Sequence, residues 1–151
     1  MDGRGKQALL TWLSLLRTAN RIKKDIDARL KASFGQSISR FDALSALQRA
    51  GPEGIRAGQL SRQMVVSEGN ITQLMGKLLR DQLVTKSADA LDARVVIYRL
   101  SEAGVVLFDA MAMEHRQWIE DIFDELSDAD TAHLQSLMGQ LSAAFTMKET
   151  A

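Results

Sequence analysis

Asn70, Gln73, Lys77 and Arg80 follow one another at spacings of three and four residues. On a helix that spacing sets all four along one face. Their chemistry suits one task in particular. Asparagine and glutamine donate and accept together, matching an adenine edge, while lysine or arginine reaches guanine or a phosphate. Gly69 and Gly76 on the same face carry no side chain and allow close approach to a groove, although glycine costs a helix interior about 0.8–1 kcal/mol relative to alanine. On an isolated helix such a row is more often a solvated surface, so its meaning depends on the elements around it.

Those elements follow from periodicity. Opposite the polar row, Ile71, Leu74, Met75, Leu78 and Leu79 fall at i, i+3, i+4, i+7 and i+8, a stripe to be buried. The helix is expected to start at Ser67, a good N-cap, after a short helix near Ala57–Met64 and a turn at Val65–Val66. Short strands are expected over Leu83–Ser87 and Val95–Leu100, with the polar stretch Ala88–Arg94 as a long hairpin tip. That order of elements is a winged helix-turn-helix. The tip carries Asp89, Asp92 and Arg94. An arginine there can enter a narrow minor groove, and Asp92 can hold its guanidinium in a bidentate pair. Taken alone, the pair is a surface ion pair worth roughly 0–1 kcal/mol. The DNA-facing candidates are Arg62, Ser67, Gly69, Asn70, Thr72, Gln73, Lys77, Arg80, Lys86, Asp92 and Arg94.

Long helices flank this motif. Residues 7–32 form an amphipathic pattern with Leu9, Trp12, Leu13, Leu16, Ile26 and Leu30 on one stripe, stopped at Gly35. Leu10, Leu15 and Ile22 widen the stripe, so this helix has more than one neighbour. A second helix is expected over Ser39–Ala50, with Phe41, Leu44 and Leu47 inward, ending at Gly51-Pro52. Ser101 caps a helix to about Glu125 that aligns Phe108, Met111, His115, Trp118, Ile119 and Ile122. Ser127 starts the last, whose inner face is expected to be Leu134, Leu137, Met138, Leu141 and Phe145. The fold class is mainly α with a small β-hairpin wing, a winged helix-turn-helix with N- and C-terminal dimerisation helices. A single domain is expected over 1–151, with the winged-helix lobe at 36–100 and a dimerisation lobe from 1–35 and 101–151.

Composition agrees. At 151 residues, 46% hydrophobic and 25% charged, the chain suits one globular domain. The absence of cysteine removes disulfides and thiolate metal sites. No apolar run reaches the length of a membrane span and no signal-peptide pattern opens the chain, so a cytoplasmic protein with no membrane partner is expected. The net charge of +0 hides an asymmetry. Residues 1–35 carry eight Lys/Arg against three Asp/Glu, residues 36–99 nine against six, and residues 100–151 two against ten: +5, +3 and −8. A basic part can face phosphates while the acidic end faces away. His115 and His133 have no ligand spacing between them, and no nucleophile or phosphate-loop pattern occurs, so neither a metal, a cofactor nor an enzyme is expected.

Gly69-Asn70-Ile71-Thr72 through Leu83-Val84, then Asp92-Ala93-Arg94, then Leu100-Ser101-Glu102-Ala103-Gly104 resemble the MarR family of bacterial transcriptional regulators, across nearly the whole chain. In that family these stretches are the recognition helix, the wing tip and the start of the dimer-forming helix. The resemblance implies a homodimeric repressor that binds a pseudo-palindrome on double-stranded DNA and releases it when a small ligand binds. Three positions depart from the family pattern. Gln82 stands where glycine is usual, Lys86 where arginine is usual, and only the second of two wing arginines is kept, as Arg94. Gly69-Asn70-Ile71-Thr72 and Phe108-Asp109-Ala110-Met111-Ala112-x-Glu114-His115-x-x-Trp118 look like a subgroup controlling aromatic-acid catabolism. Some of its members respond to hydroxycinnamoyl-CoA thioesters such as p-coumaroyl-CoA or feruloyl-CoA. That implies an aromatic acyl-CoA effector, with Phe41, Met111, His115 and Trp118 as candidate ligand contacts and Arg17 and Arg21 as candidate partners of CoA phosphates. Against this stand His115 as a satisfied core or interface residue and the arginines as a solvated helix face. For the whole chain the alternatives are a winged-helix regulator without a small-molecule effector and a winged-helix protein-interaction module.

Overall fold

The computed structural model describes residues 2–64 and 68–149, with side chains for all of these except 68, 69 and 147–149. Its elements are α1 (Gly3–Phe34), α2 (Ile38–Ala50), β1 (Ile55–Arg56), α3 (Ala57–Met64), α4 (Glu68–Arg80), β2 (Val84–Ala88), β3 (Val96–Leu100), α5 (Glu102–Phe123) and α6 (Asp128–Glu149). By internal packing the chain divides into two units, Met1–Met113 and Glu114–Ala151.

In the first unit α1 begins before its apolar stripe does, because the Asp2 carboxylate accepts from the Gly5 N–H at 2.7 Å. Gly35, at φ 66°, ends it in the left-handed conformation that glycine adopts without strain. Ser37 caps α2 by accepting from the Arg40 N–H at 3.2 Å. Asp27 on α1 accepts from the Ile38 N–H at 2.9 Å and so ties α1 to the start of α2. The Lys31 ammonium, then that N–H, holds the Asp27 carboxyl below its ordinary pKa. The core gathers Ile26 and Leu30 of α1, Leu44 and Leu47 of α2, Leu60 of α3, and Met111 of α5, all buried. Ile71, Met75 and Leu78 of α4 join it, while Leu74 and Leu79 of the expected stripe sit half-buried at its margins.

The hairpin expected from the sequence is one strand short. The sheet has three antiparallel strands in the order β1-β3-β2, with Ile55 opposite Tyr98 and Arg56 opposite Ile97. A two-residue strand has no periodicity to detect; its pairing is made by tertiary packing that buries Ile55. On the other side β2 pairs with β3 from Val84–Leu100 to Ala88–Val96.

α4 ends in a Schellman turn: the Leu83 N–H donates to the Leu78 carbonyl and the Gln82 N–H to the Leu79 carbonyl, both at 3.0 Å. Gln82 itself has φ 59°, a conformation suited to glycine. The departure at this position therefore costs strain rather than changing the fold. Gln82→Gly should raise stability modestly, by about 0.5 kcal/mol, since roughly 1–2 kcal/mol of left-handed strain is offset by glycine's greater unfolded-state entropy. A urea midpoint no higher than that of the parent contradicts this.

The second unit holds the end of α5 and all of α6, whose start is capped by Ser127 accepting from the Asp130 N–H at 3.1 Å. A cavity of about 540 Å³ between the two helices is lined by Ile119, Phe123, Leu134 and Met138. The apolar face expected to be inward on α6 is open in the single chain: Leu134, Leu137, Met138, Leu141 and Phe145 are 37–64% exposed. In the first unit Leu9, Leu10, Trp12 and Leu16 of α1 are likewise 40–53% exposed.

Candidate nucleic-acid interface

The face of α4 opposite its buried stripe carries Asn70, Thr72, Gln73, Lys77 and Arg80, all exposed. Asn70, Gln73 and Lys77 line one groove of about 360 Å³ together with Ser37, Ser39 and Arg40 from the start of α2. Gly76 sits beside this row with nothing near the position of an added Cβ, so the helix surface is open there. Arg62 is exposed on α3. Gly69 lies within α4, while the expected turn Val65–Val66 and the expected cap Ser67 lie outside the described residues.

The wing tip is ordered by its own hydrogen bonds. The Asp89 N–H donates to the Val95 carbonyl at 2.9 Å, and the Val95 N–H donates to the Asp92 carbonyl at 3.0 Å. Asp92 then takes Arg94 three times: from its backbone N–H at 3.0 Å, its Nε at 3.1 Å and its Nη2 at 3.4 Å. The expected two-point grip on the guanidinium is present. The Arg94 guanidinium, then its N–H, holds the Asp92 carboxyl below its ordinary value. A depressed carboxylate keeps its pairing above the ordinary carboxylate range and loses it only as pH falls through the lowered value, so the tip stays paired at neutral pH. The Arg94 side chain is 91% exposed. Lys86 is exposed on β2, opposite Tyr98, and lines a small groove with Ala93 of the tip.

Three positions with a part in this surface have no local signature. Arg56 of β1 reaches Asp89 at the base of the tip, Nη2 to Oδ2 2.9 Å. Arg40 pairs with Asp81 just past α4, fixing that end of the helix to α2. Arg99 donates to the Pro52 carbonyl at 3.1 Å and to Ser87 Oγ at 2.6 Å, bracing β3 against β2. Partners 33 and 41 residues apart are set by the tertiary fold, and nothing in the spacing announces them.

The ligand candidates are more scattered. Phe41 is buried and stacks on Phe108 with ring centroids 5.6 Å apart. Met111 is buried in the same unit, while Arg17 and Arg21 are exposed on α1. In the second unit Trp118 is buried and His115 half-buried. Among the described residues no group of three or more His, Cys, Asp or Glu side chains is placed to hold a metal ion, and no helix is long and apolar enough to cross a membrane.

A three-stranded wing beside a polar-faced helix, itself packed on a shorter preceding helix, defines a winged-helix protein of the kind that binds duplex DNA. Comparison narrows the class. Residues 34–95 match the model of the MarR family. The HTH-type transcriptional regulator PecS of Dickeya dadantii is 25% identical over 131 residues, covering 84% of this chain and 79% of that protein. The transcriptional activatory protein BadR of Rhodopseudomonas palustris is 25% identical over 134 residues, covering 87% and 76%. A MarR family regulator of Streptomyces coelicolor, solved in complex with DNA, superposes with a TM-score of 0.83 at 17% identity, over 92% of this chain and 88% of that one. Over residues 34–95 by family model, and over most of its length by relatives and fold, the chain is similar to MarR-type DNA-binding transcriptional regulators, which are not enzymes.

Proposed function

We propose that the chain works as a homodimer that reads a two-fold DNA site with α4 and the wing, represses aromatic-acid (hydroxycinnamate) catabolic genes, and lets go when an aromatic acyl-CoA thioester binds. The observation that carries the DNA reading is the exposed row Asn70, Gln73 and Lys77 opening on one groove. With α4 in the major groove, these three meet base edges, Arg62, Thr72, Arg80 and Lys86 meet the backbone, and Arg94 enters the flanking minor groove in the direction Asp92 sets. Pairing of two chains is supported by the open apolar faces of α1 and α6, which a lone chain leaves in water. A two-fold pair sets its reading helices about 34–36 Å apart, one turn of DNA. An effector that favours a different spacing lowers DNA affinity by linkage.

The effector rests on the sequence resemblance, with Phe41, Met111, His115 and Trp118 for the aromatic acyl group and Arg17 and Arg21 for the phosphates. BadR is named as an activator, so the sign of regulation is read separately, from a reporter fused to the promoter. A gel shift on the chain's own promoter region, with p-coumaroyl-CoA and with free p-coumarate, tests both parts. The expected result is a salt-sensitive, sequence-preferring shift released by the thioester. No sequence preference overturns the reading of α4, and release by neither compound removes the thioester. Arg94→Ala should weaken operator binding about tenfold and lower the salt slope by about 0.9 per lost phosphate-field contact, with an unchanged melting temperature. Unchanged affinity would show that the wing does not touch DNA.

A further inference from the structure

The most exposed large apolar side chain among the described residues is Leu91, at 93%, on the tip of the wing. The other strongly exposed apolar side chains lie on α1, α5 and α6 or in the turn between α5 and α6, on the long flanking helices. Leu91 stands apart from them, three residues before Arg94 in the same hairpin tip. A single exposed leucine is ordinary on a protein surface. This one sits on a tip that is held still. Asp89 closes the tip against Val95 and is itself gripped by Arg56, while Asp92 fixes Arg94. A leucine at the apex of a fixed tip, beside a cation aimed outward, has the make-up of a wedge that enters between base steps in the minor groove.

We infer that Leu91 is a further DNA-contacting residue: it inserts its apolar side chain into the minor groove next to Arg94, opens a flexible pyrimidine–purine step there, and makes the deformability of flanking sequence part of what the protein reads. This rests on the reading of α4 and the wing proposed above. Its chemistry differs from that of Arg94. Arginine contributes charge, which salt screens; leucine contributes unstacking and apolar contact, which salt leaves nearly untouched. Specificity then appears at positions where no base edge is hydrogen-bonded.

The test uses the full chain and an operator selected by the wild-type protein, in two versions with a TA or a GC step at the flanking minor groove. Affinity is measured by anisotropy over a range of salt, and bending by energy transfer between the duplex ends. Leu91→Ala should lose roughly tenfold in affinity for the TA version, keep its salt slope, bend the duplex less, and lose preference for TA over GC. Leu91→Met should restore most of this, and all three proteins should melt together because the side chain is exposed. Equal affinity, bending and step preference in Leu91→Ala overturn the wedge while leaving selective binding by α4 intact. A loss accompanied by a shallower salt slope also overturns it, since that marks a general weakening of phosphate contacts. If the wild-type protein selects no sequence at all, the reading of α4 fails first and the wedge with it.

Discussion

Gly104→Ala should destabilise the fold by about 3 kcal/mol, against the usual sign for such a change in a helix. In an open helical site alanine gains about 1 kcal/mol over glycine. Here a Cβ built at position 104 lies 2.0 Å from the Leu83 carbonyl oxygen and 3.0 Å from the Leu83 carbonyl carbon, far inside ordinary contact. The obstacle is backbone, so no side chain can swing away. The start of α5 must back off, and that junction is densely bonded. The Ser101 N–H donates to the Leu83 carbonyl at 3.1 Å, the Ser101 hydroxyl donates to the Gln82 carbonyl at 2.7 Å, and the Gly104 N–H donates to Ser101 Oγ at 3.0 Å. Losing or stretching these bonds, at about 0.5–1.5 kcal/mol each, outweighs the gain in helix propensity. The expected drop in melting temperature is roughly 6–12 °C, read by calorimetry or by circular dichroism at 222 nm. A drop of under about 2 °C would mean that the junction yields easily. The consequence reaches function, because Leu83 begins the path into the wing and Ser101 ends the path out of it.

That junction also marks where the sequence stops being legible. Gly104 is visible as part of a motif, yet its reason is a contact with a residue 21 positions earlier in the chain, which no local pattern contains. α4 is the opposite case. Its apolar stripe and polar row are both written at helical spacing, and burial follows: Ile71, Met75 and Leu78 inside, Asn70, Gln73 and Lys77 outside. The Asp92–Arg94 grip is equally local, two residues apart, and its geometry matches its spacing. β1 escaped because two residues carry no period, and with it went the Arg56–Asp89 strut that holds the tip. The ends of α1 and α6 teach a different lesson. Their periodicity announces helices, but an apolar face says only that something covers it. In this chain Ile26 and Leu30 are covered from within, whereas Trp12 and Phe145 remain open.

The largest effect on DNA binding is expected from Gln73→Ala. Gln73 is exposed in the middle of α4, so removing its amide leaves the core intact and places a better helix former on the surface. Stability should therefore hold or rise slightly. A good bidentate contact to a base edge is worth about 1–3 kcal/mol of discrimination. In a two-fold pair the substitution removes that contact twice per operator, which amounts to about 2–6 kcal/mol if the two half-sites add. Operator affinity should then fall by roughly thirtyfold or more, while affinity for a scrambled duplex should stay unchanged, because no charge is lost. The salt slope should be the same for both proteins. Arg80→Ala supplies the contrast: at the phosphate backbone it should weaken operator and scrambled duplex alike and lower the slope by about 0.9 per protomer. Anisotropy titrations of both duplexes at several salt concentrations separate the two patterns. Equal weakening of operator and scrambled duplex by Gln73→Ala would move this side chain from the base edges to the backbone. No weakening of either would remove it from the interface, and the row on α4 would then have to be read from Asn70 and Lys77 alone.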